Sequence, residues 1–179
     1  MCIFGGAEQM VRRNLLRSLY VLDRFLSTSL GRPTSIQESD CSGDILTTGE
    51  KPPFPQAPFP TAANASFTAA LGLEASVRSC HVIGVILDKV YSQRKISTKL
   101  AQDIADHCKG WPKSLDPSLH WKQASSADPT QGIAVLHVNL LYCHSIVLLT
   151  RPFFLFLMNK MHQEQRDNGQ RSQRQGTRM

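Results

Sequence analysis

Two neighbouring pairs, Cys80–His81 and Cys143–His144, hold the residue types of a thiol nucleophile and its base. Adjacent residues on a helix project about 100° apart, so neither pair can act alone as nucleophile and base. Both pairs sit among apolar residues, whereas a reactive thiol needs a positive, partly open setting. They read as buried cysteine with a core histidine bonded to a carbonyl. His137 and His144 share a helical face at a spacing of seven, but no carboxylate or cysteine stands where a third metal ligand would be needed. No Gly-x-x-x-x-Gly-Lys, Gly-x-Gly-x-x-Gly or Gly-x-Ser-x-Gly pattern occurs in the chain. These residues specify no enzyme, no bound cofactor and no metal.

A charged cluster is more distinctive: Asp23–Arg24, then Gly31–Arg32–Pro33. Asp23 lies beside Leu19, Leu22 and Leu26, and a carboxylate so close to apolar residues requires a cationic or amide partner. Arg32, just past a reversal at Gly31, is placed to fold back onto it. A structural clamp between Asp23 and Arg32 is the plainer reading. A binding site for an anionic effector is the sharper one.

The elements that position this cluster are helical. Val11, Leu15, Leu19, Leu22 and Leu26 step by four, four, three and four, which draws one apolar stripe on a helix over Ala7 to Leu30. Arg12, Arg13, Arg17 and Arg24 lie largely off the stripe. Gly31 can take the left-handed conformation that closes a helix, and Pro33 blocks continuation. Helical spacing returns from Ala69 to Tyr91, and again from Ser97, as N-cap, to about Lys109, with Pro112 and Pro117 ending that helix. A last helix is expected from Thr130, capped by Asp128 or Thr130, to the Arg151–Pro152 step. Five prolines between Pro52 and Pro60 exclude helix and central strand there. The expected fold is all-α: an irregular helical bundle with a Pro-rich connector and a disordered basic C-terminal tail. Its parts are 7–39 (first helix and Gly-Arg-Pro cap), 40–68 (connector), 69–158 (remaining helices of the same domain) and 159–179 (tail).

The bulk properties agree. The 179 residues are 41% hydrophobic and 19% charged, which leaves room for a core and excludes a polyelectrolyte chain. The formal charge is +6, from 20 Lys and Arg against 14 Asp and Glu. Five basic against two acidic residues put half of that charge in the last twenty positions, so no concentrated nucleic-acid face exists. Five widely spaced cysteines form neither a disulfide framework nor a zinc cluster, and suit a reducing compartment. Residues 133–158 are apolar and long enough to span a bilayer. His137, Asn139, His144, Arg151 and Pro152 interrupt them, and a central Arg costs about 2.5–3.5 kcal/mol on insertion. The stretch therefore reads as the centre of a bundle, with membrane association as the alternative.

The same residues carry a family likeness. Arg12 to Phe25, with Asp23–Arg24, followed by Leu30–Gly31–Arg32–Pro33, resembles the signature of the fungal-specific transcription factor domain. That domain is the regulatory middle region of fungal zinc-cluster transcription factors. Leu100 to Trp111 with Leu115 and Leu119, and Val138 to His144 with Leu148–Leu149 and Arg151–Pro152–Phe153, follow in the family's order. The resemblance covers most of residues 10 to 155. It departs where Leu15 and Leu16 stand in place of tryptophans, and where neither the six-cysteine cluster nor the helices preceding the first block occur.

The resemblance implies an all-α regulatory region acting in the nucleus, with Asp23, Arg24, Gly31, Arg32, Pro33, Arg151 and Pro152 as its structural signature. It implies that zinc and DNA are met only through a cluster domain this chain lacks. The partners of the chain itself would be a protein, a small effector or a second copy, not a membrane. Met1 is expected to fall inside the domain. The first and last helices should then leave apolar faces uncovered.

Overall fold

The computed structural model describes residues 5–41, 60–92, 97–123 and 129–176. Four helices carry the architecture: α1 (Gly6–Leu30), α2 (Pro60–Ile86), α3 (Thr98–Ser114) and α4 (Pro129–Gly176). Short 3-10 turns lie at Glu38–Asp40, Pro117–Leu119 and Trp121–Gln123, and a π-turn, Leu87–Ser92, extends α2. No strand occurs among the described residues, and the fold is all-α as expected.

α2 is the central element and packs most extensively on α4, then on α1, while α3 lies against both α4 and α2. The α2–α4 contact is close because its residues are small. A Cβ added at Gly72 would stand 3.0 Å from the Cβ of Ala134. Ser76, Ser79 and Ser145 are buried nearby and return their hydroxyl protons to carbonyls of their own helices. The main core gathers Val77, Cys80, Ile83 and Ile86 of α2 with Ile104 of α3 and Leu141 and Leu148 of α4. A second cluster centres on Trp111 and Leu119, where the Trp111 ring stacks on Tyr142 at 4.7 Å and 9°.

Several boundaries differ from the sequence expectations. Pro60 opens α2, because a proline at the first helical position forfeits only an amide that would have no partner anyway. The part of the expected connector from 60 to 68 is therefore helical, and residues 42–59 lie outside the described residues. Pro112 sits inside α3, which runs on to Ser114, and Ser97 caps its start by accepting from the Leu100 amide at 3.1 Å. Asp128 lies outside the described residues, and Pro129 opens α4.

Pro152 does not end the last helix. α4 continues to Gly176, so the expected disordered tail is helical over 159–176. Its Gln, Arg, Lys and Glu residues are good helix formers, and no proline follows Pro152.

The orientation of α1 is the largest correction. Its stripe of Val11, Leu15, Leu19, Leu22 and Leu26 faces outward, and Arg17, Tyr20, Val21, Arg24 and Ser27 face α2. Periodicity locates an apolar face but not what covers it. Among the described residues nothing covers this one, which meets the expectation of uncovered apolar surface on the first helix. The last helix meets it too, with Leu136, Leu140 and Phe154 among its exposed side chains.

Candidate functional site

α1 ends as the sequence predicts. Gly31 takes the left-handed conformation at φ 64° and ψ 31°, and the Arg32 amide reaches back to the Ser27 carbonyl at 3.0 Å. The chain then turns back along α1. Asp23 Oδ1 accepts from the Ser35 amide at 2.9 Å, and Oδ2 from the Ile36 amide at 3.2 Å.

The guanidinium that neutralises Asp23 belongs to Arg24, at 2.7 Å, and not to Arg32. Arg24 is almost wholly buried. Its Nη1 also donates to the Ile36 carbonyl at 2.9 Å, and its guanidinium lies 4.3 Å from the centroid of the Tyr20 ring. The expected clamp is thus present in kind, but with a different cation. The reversal at Gly31 leaves Arg32 exposed, whereas the long Arg24 side chain turns inward beneath the returning loop.

Gly84 of α2 makes room for it, since a Cβ there would stand 3.0 Å from Arg24 Nε. That Nε is buried and has no hydrogen-bond partner. The loop is tied a second time through Glu38. Its Oε1 accepts from the Tyr20 hydroxyl at 2.7 Å and from His81 Nδ1 at 2.8 Å. Burial pushes the Glu38 carboxyl up, but these two hydrogen bonds outweigh it and hold the group below the usual carboxylate range. Burial, followed by the Glu38 hydrogen bond, raises the Tyr20 hydroxyl far above the phenol range.

On the other side of this clamp stands a cavity of about 750 Å3. Its wall combines the end of α1, the Gly31–Ser39 loop, the π-turn after α2, and Leu148 and Arg151 of α4. Arg24, Gly31, Arg32, Pro33 and Arg151, which the sequence sets in distant blocks, meet around this one space. Asp23 lies behind it as the anchor of the loop. Pro152 is half-buried within α4, next to Arg151.

Four cationic side chains line the cavity, Arg24, Arg32, Lys89 and Arg151, against the two carboxylates of Glu38 and Asp88. Arg32, Lys89 and Arg151 form no salt bridge with a described carboxylate. The volume lies within the ~300–1,000 Å3 of small-molecule sites. Such a space suits an anion held by guanidinium groups, which present forked donors to carboxylate or phosphate oxygens.

The contributions of Tyr20, Glu38, His81, Gly84 and the π-turn were not visible in the sequence. Tyr20 and Arg24, four apart on one face, were the available signal. Insertion of a π-turn displaces the side chains after it from α-helical register, and such turns recur at functional sites.

The thiol reading loses its geometry. Cys80 is fully buried and burial pushes its thiol up to about 12, while His81 points to Glu38. Burial also raises Cys108. His144 Nε2 lies 3.0 Å from Thr28 Oγ1, whose own proton goes to the Phe25 carbonyl, so Nε2 carries the hydrogen. Among the described residues no group of three or more His, Cys, Asp or Glu could hold a metal ion.

No family model matches the chain, and no solved structure matches it. Two fungal proteins do. "Filamentous growth regulator 27" of Candida albicans is 27% identical over 168 residues, covering 89% of this chain and 20% of that protein. An "uncharacterized transcriptional regulatory protein" of Schizosaccharomyces pombe is 23% identical over 161 residues, covering 83% of this chain and 18% of that protein. The chain spans about a fifth of the length of these relatives. It is similar to a segment of fungal proteins that are named as regulators, one of them of transcription.

Proposed function

We propose that the chain is a regulatory, non-DNA-contacting part of a fungal transcriptional regulator. It acts in the nucleus on RNA polymerase II transcription, through a small anionic effector or a protein bound at the cavity between Gly31–Arg32–Pro33 and Arg151. The name of the Schizosaccharomyces pombe relative supports the transcriptional half of this reading, and that of the Candida albicans relative supports a regulatory role. The observation that carries the other half is the convergence of Arg24, Arg32, Lys89 and Arg151 on one space, beside a loop that Asp23 holds in place. A ligand there would touch α1, the π-turn and α4 at once, and so could shift their relative packing.

The test is to tether the chain to an unrelated DNA-binding domain upstream of a yeast reporter gene. Reporter output should change several-fold on tethering, and Arg32→Ala with Arg151→Ala should alter that response without lowering the amount of protein. A reporter held at the level of the DNA-binding domain alone defeats the proposal. The competing membrane reading draws on the segments Phe67–Ser92 and Pro129–Arg166, which are long and apolar enough to cross a bilayer. Half and two-thirds of their respective windows lie outside the buried core. Release of the chain by carbonate extraction of fungal membranes would remove that reading.

A further inference from the structure

α4 leaves the bundle at Pro152. Every residue from Phe154 to Arg166 is exposed, so among the described residues nothing packs against this arm, and its direction is set at the Pro152 step. That step is weak. The proline offers no amide to the Leu148 carbonyl, and helices bend where a proline or an inserted water breaks the ladder. The carbonyl accepts instead from the Tyr91 hydroxyl of the π-turn, at 2.9 Å. The π-turn is itself fastened, since the Ser92 hydroxyl donates to the Leu87 carbonyl at 3.1 Å, five residues back.

Both ends of this tie, Tyr91 and Leu148, stand in the wall of the cavity, and each has a lining cation near it in sequence, Lys89 and Arg151. The Arg151 guanidinium is close enough to act on Tyr91: burial raises the hydroxyl pKa, and the positive charge opposes that rise. In the absence of an anion, the like charges of Lys89 and Arg151 repel across the space they share.

Resting on the reading of the cavity as an anion site, we infer that an anion held across Lys89 and Arg151 locks the Tyr91–Leu148 bond and so fixes the direction of the α4 arm beyond Pro152. Two states differ in one bond. In the tied state Tyr91 holds Leu148, and both cations face the same space. In the released state water from the cavity takes the Leu148 carbonyl, α4 bends at Pro152, and Arg151 moves away from Lys89. An anion spanning the two cations therefore binds the tied state more tightly, which is the differential affinity that a population shift requires. A hydrogen bond of ordinary net strength favours the tied state by only about tenfold, so the released state is populated enough to be shifted.

The test uses the full chain with nitroxides at Ser29→Cys, near the end of α1, and Gln163→Cys, in the arm, both exposed positions. Cys2→Ser and Cys143→Ser remove competing thiols, and Cys41, Cys80 and Cys108 are buried. Electron–electron resonance should give a main and a minor population of distances. Inorganic phosphate, added against chloride at equal ionic strength and with its binding followed by calorimetry, should shrink the minor population several-fold. Tyr91→Phe, at unchanged helical circular dichroism, should enlarge that population several-fold and weaken phosphate binding by a similar factor. Pro152→Ala restores the amide, so it should give one population without phosphate, whichever residue stands at 91. Phosphate that binds without narrowing the distances, or an arm indifferent to Tyr91→Phe, would overturn the coupling and leave the cavity as an anion site. Absence of phosphate binding to the parent would overturn the inference together with the anion reading beneath it.

Discussion

The Tyr91 hydroxyl donates to the Leu148 carbonyl at 2.9 Å, and Leu148 is four residues before Pro152. In an uninterrupted helix that carbonyl would accept from the amide of residue 152, which a proline does not have. The π-turn at Leu87–Ser92 thus delivers from α2 the donor that α4 lacks, and α4 can pass through Pro152 without leaving a stranded acceptor.

A thermodynamic cycle tests this coupling. Tyr91→Phe should cost about 1–2 kcal/mol, since it leaves the carbonyl unpaired. Pro152→Ala restores the missing amide, and in that background Tyr91→Phe should cost less than about 0.5 kcal/mol. Urea unfolding of the four proteins measures the difference. Equal costs in both backgrounds would mean that Tyr91 contributes only its ring.

Asp23 and Arg32 separate the clamp from the cavity. Asp23 is nearly buried and serves Arg24 and two loop amides, so Asp23→Ala strands a buried guanidinium. A loss of about 3 kcal/mol is expected. Arg32 is exposed and forms no salt bridge with a described carboxylate, so Arg32→Ala should stay within about 0.5 kcal/mol of the parent. Chemical denaturation decides between this arrangement and an Asp23–Arg32 pair, for which the two losses would be alike.

Much of the frame was legible because it depends on local chemistry. Gly31 at a left-handed cap, Ser97 at an N-cap, the span of α1 and the start of α3 follow from backbone requirements of single residues. The need for a partner at Asp23 was equally legible. The identity of that partner was not, because Arg24 becomes available only once Tyr20, Gly84 and the returning loop surround it. The same holds for the face of α1 that turns inward. An arginine face reads as solvated until its side chains find Asp23, a carbonyl and an aromatic ring in three dimensions. Pro152 read as a helix end because the donor that rescues Leu148 lies on another helix.

The close approach of α2 and α4 at Gly72 gives a packing test. Gly72→Val adds bulk where even a Cβ would stand 3.0 Å from Ala134 Cβ. It should destabilise the chain by about 2 kcal/mol, despite removing a helix-weakening glycine. Ala134→Gly in the same chain should recover part of that loss, although glycine at 134 alone costs up to about 1 kcal/mol. The cycle should therefore show favourable coupling between the two sites in calorimetric melts. Simple additivity would place the steric limit elsewhere along the helix pair.

Acid should weaken the α1–α4 contact before it unties the loop. Burial lowers the His144 pKa, and its Nε2–H already donates to Thr28 as the neutral ring. The unfolded chain takes up a proton near the ordinary value of ~6.5, and the folded chain does so only at lower pH. Stability from this group is therefore fully present above that value and declines as pH falls through it toward the folded pKa. Glu38 acts in the same direction but in a lower window. Its depressed carboxyl keeps its contribution until pH drops below the ordinary glutamate value of ~4.3. Melting temperatures should thus be level from pH 8 to 7 and fall between 6.5 and 5.5. The parent and His144→Asn should converge across that interval, because asparagine carries no proton to gain. A gap between the two proteins that stays constant from pH 7.5 to 5.5 would remove His144 as the source.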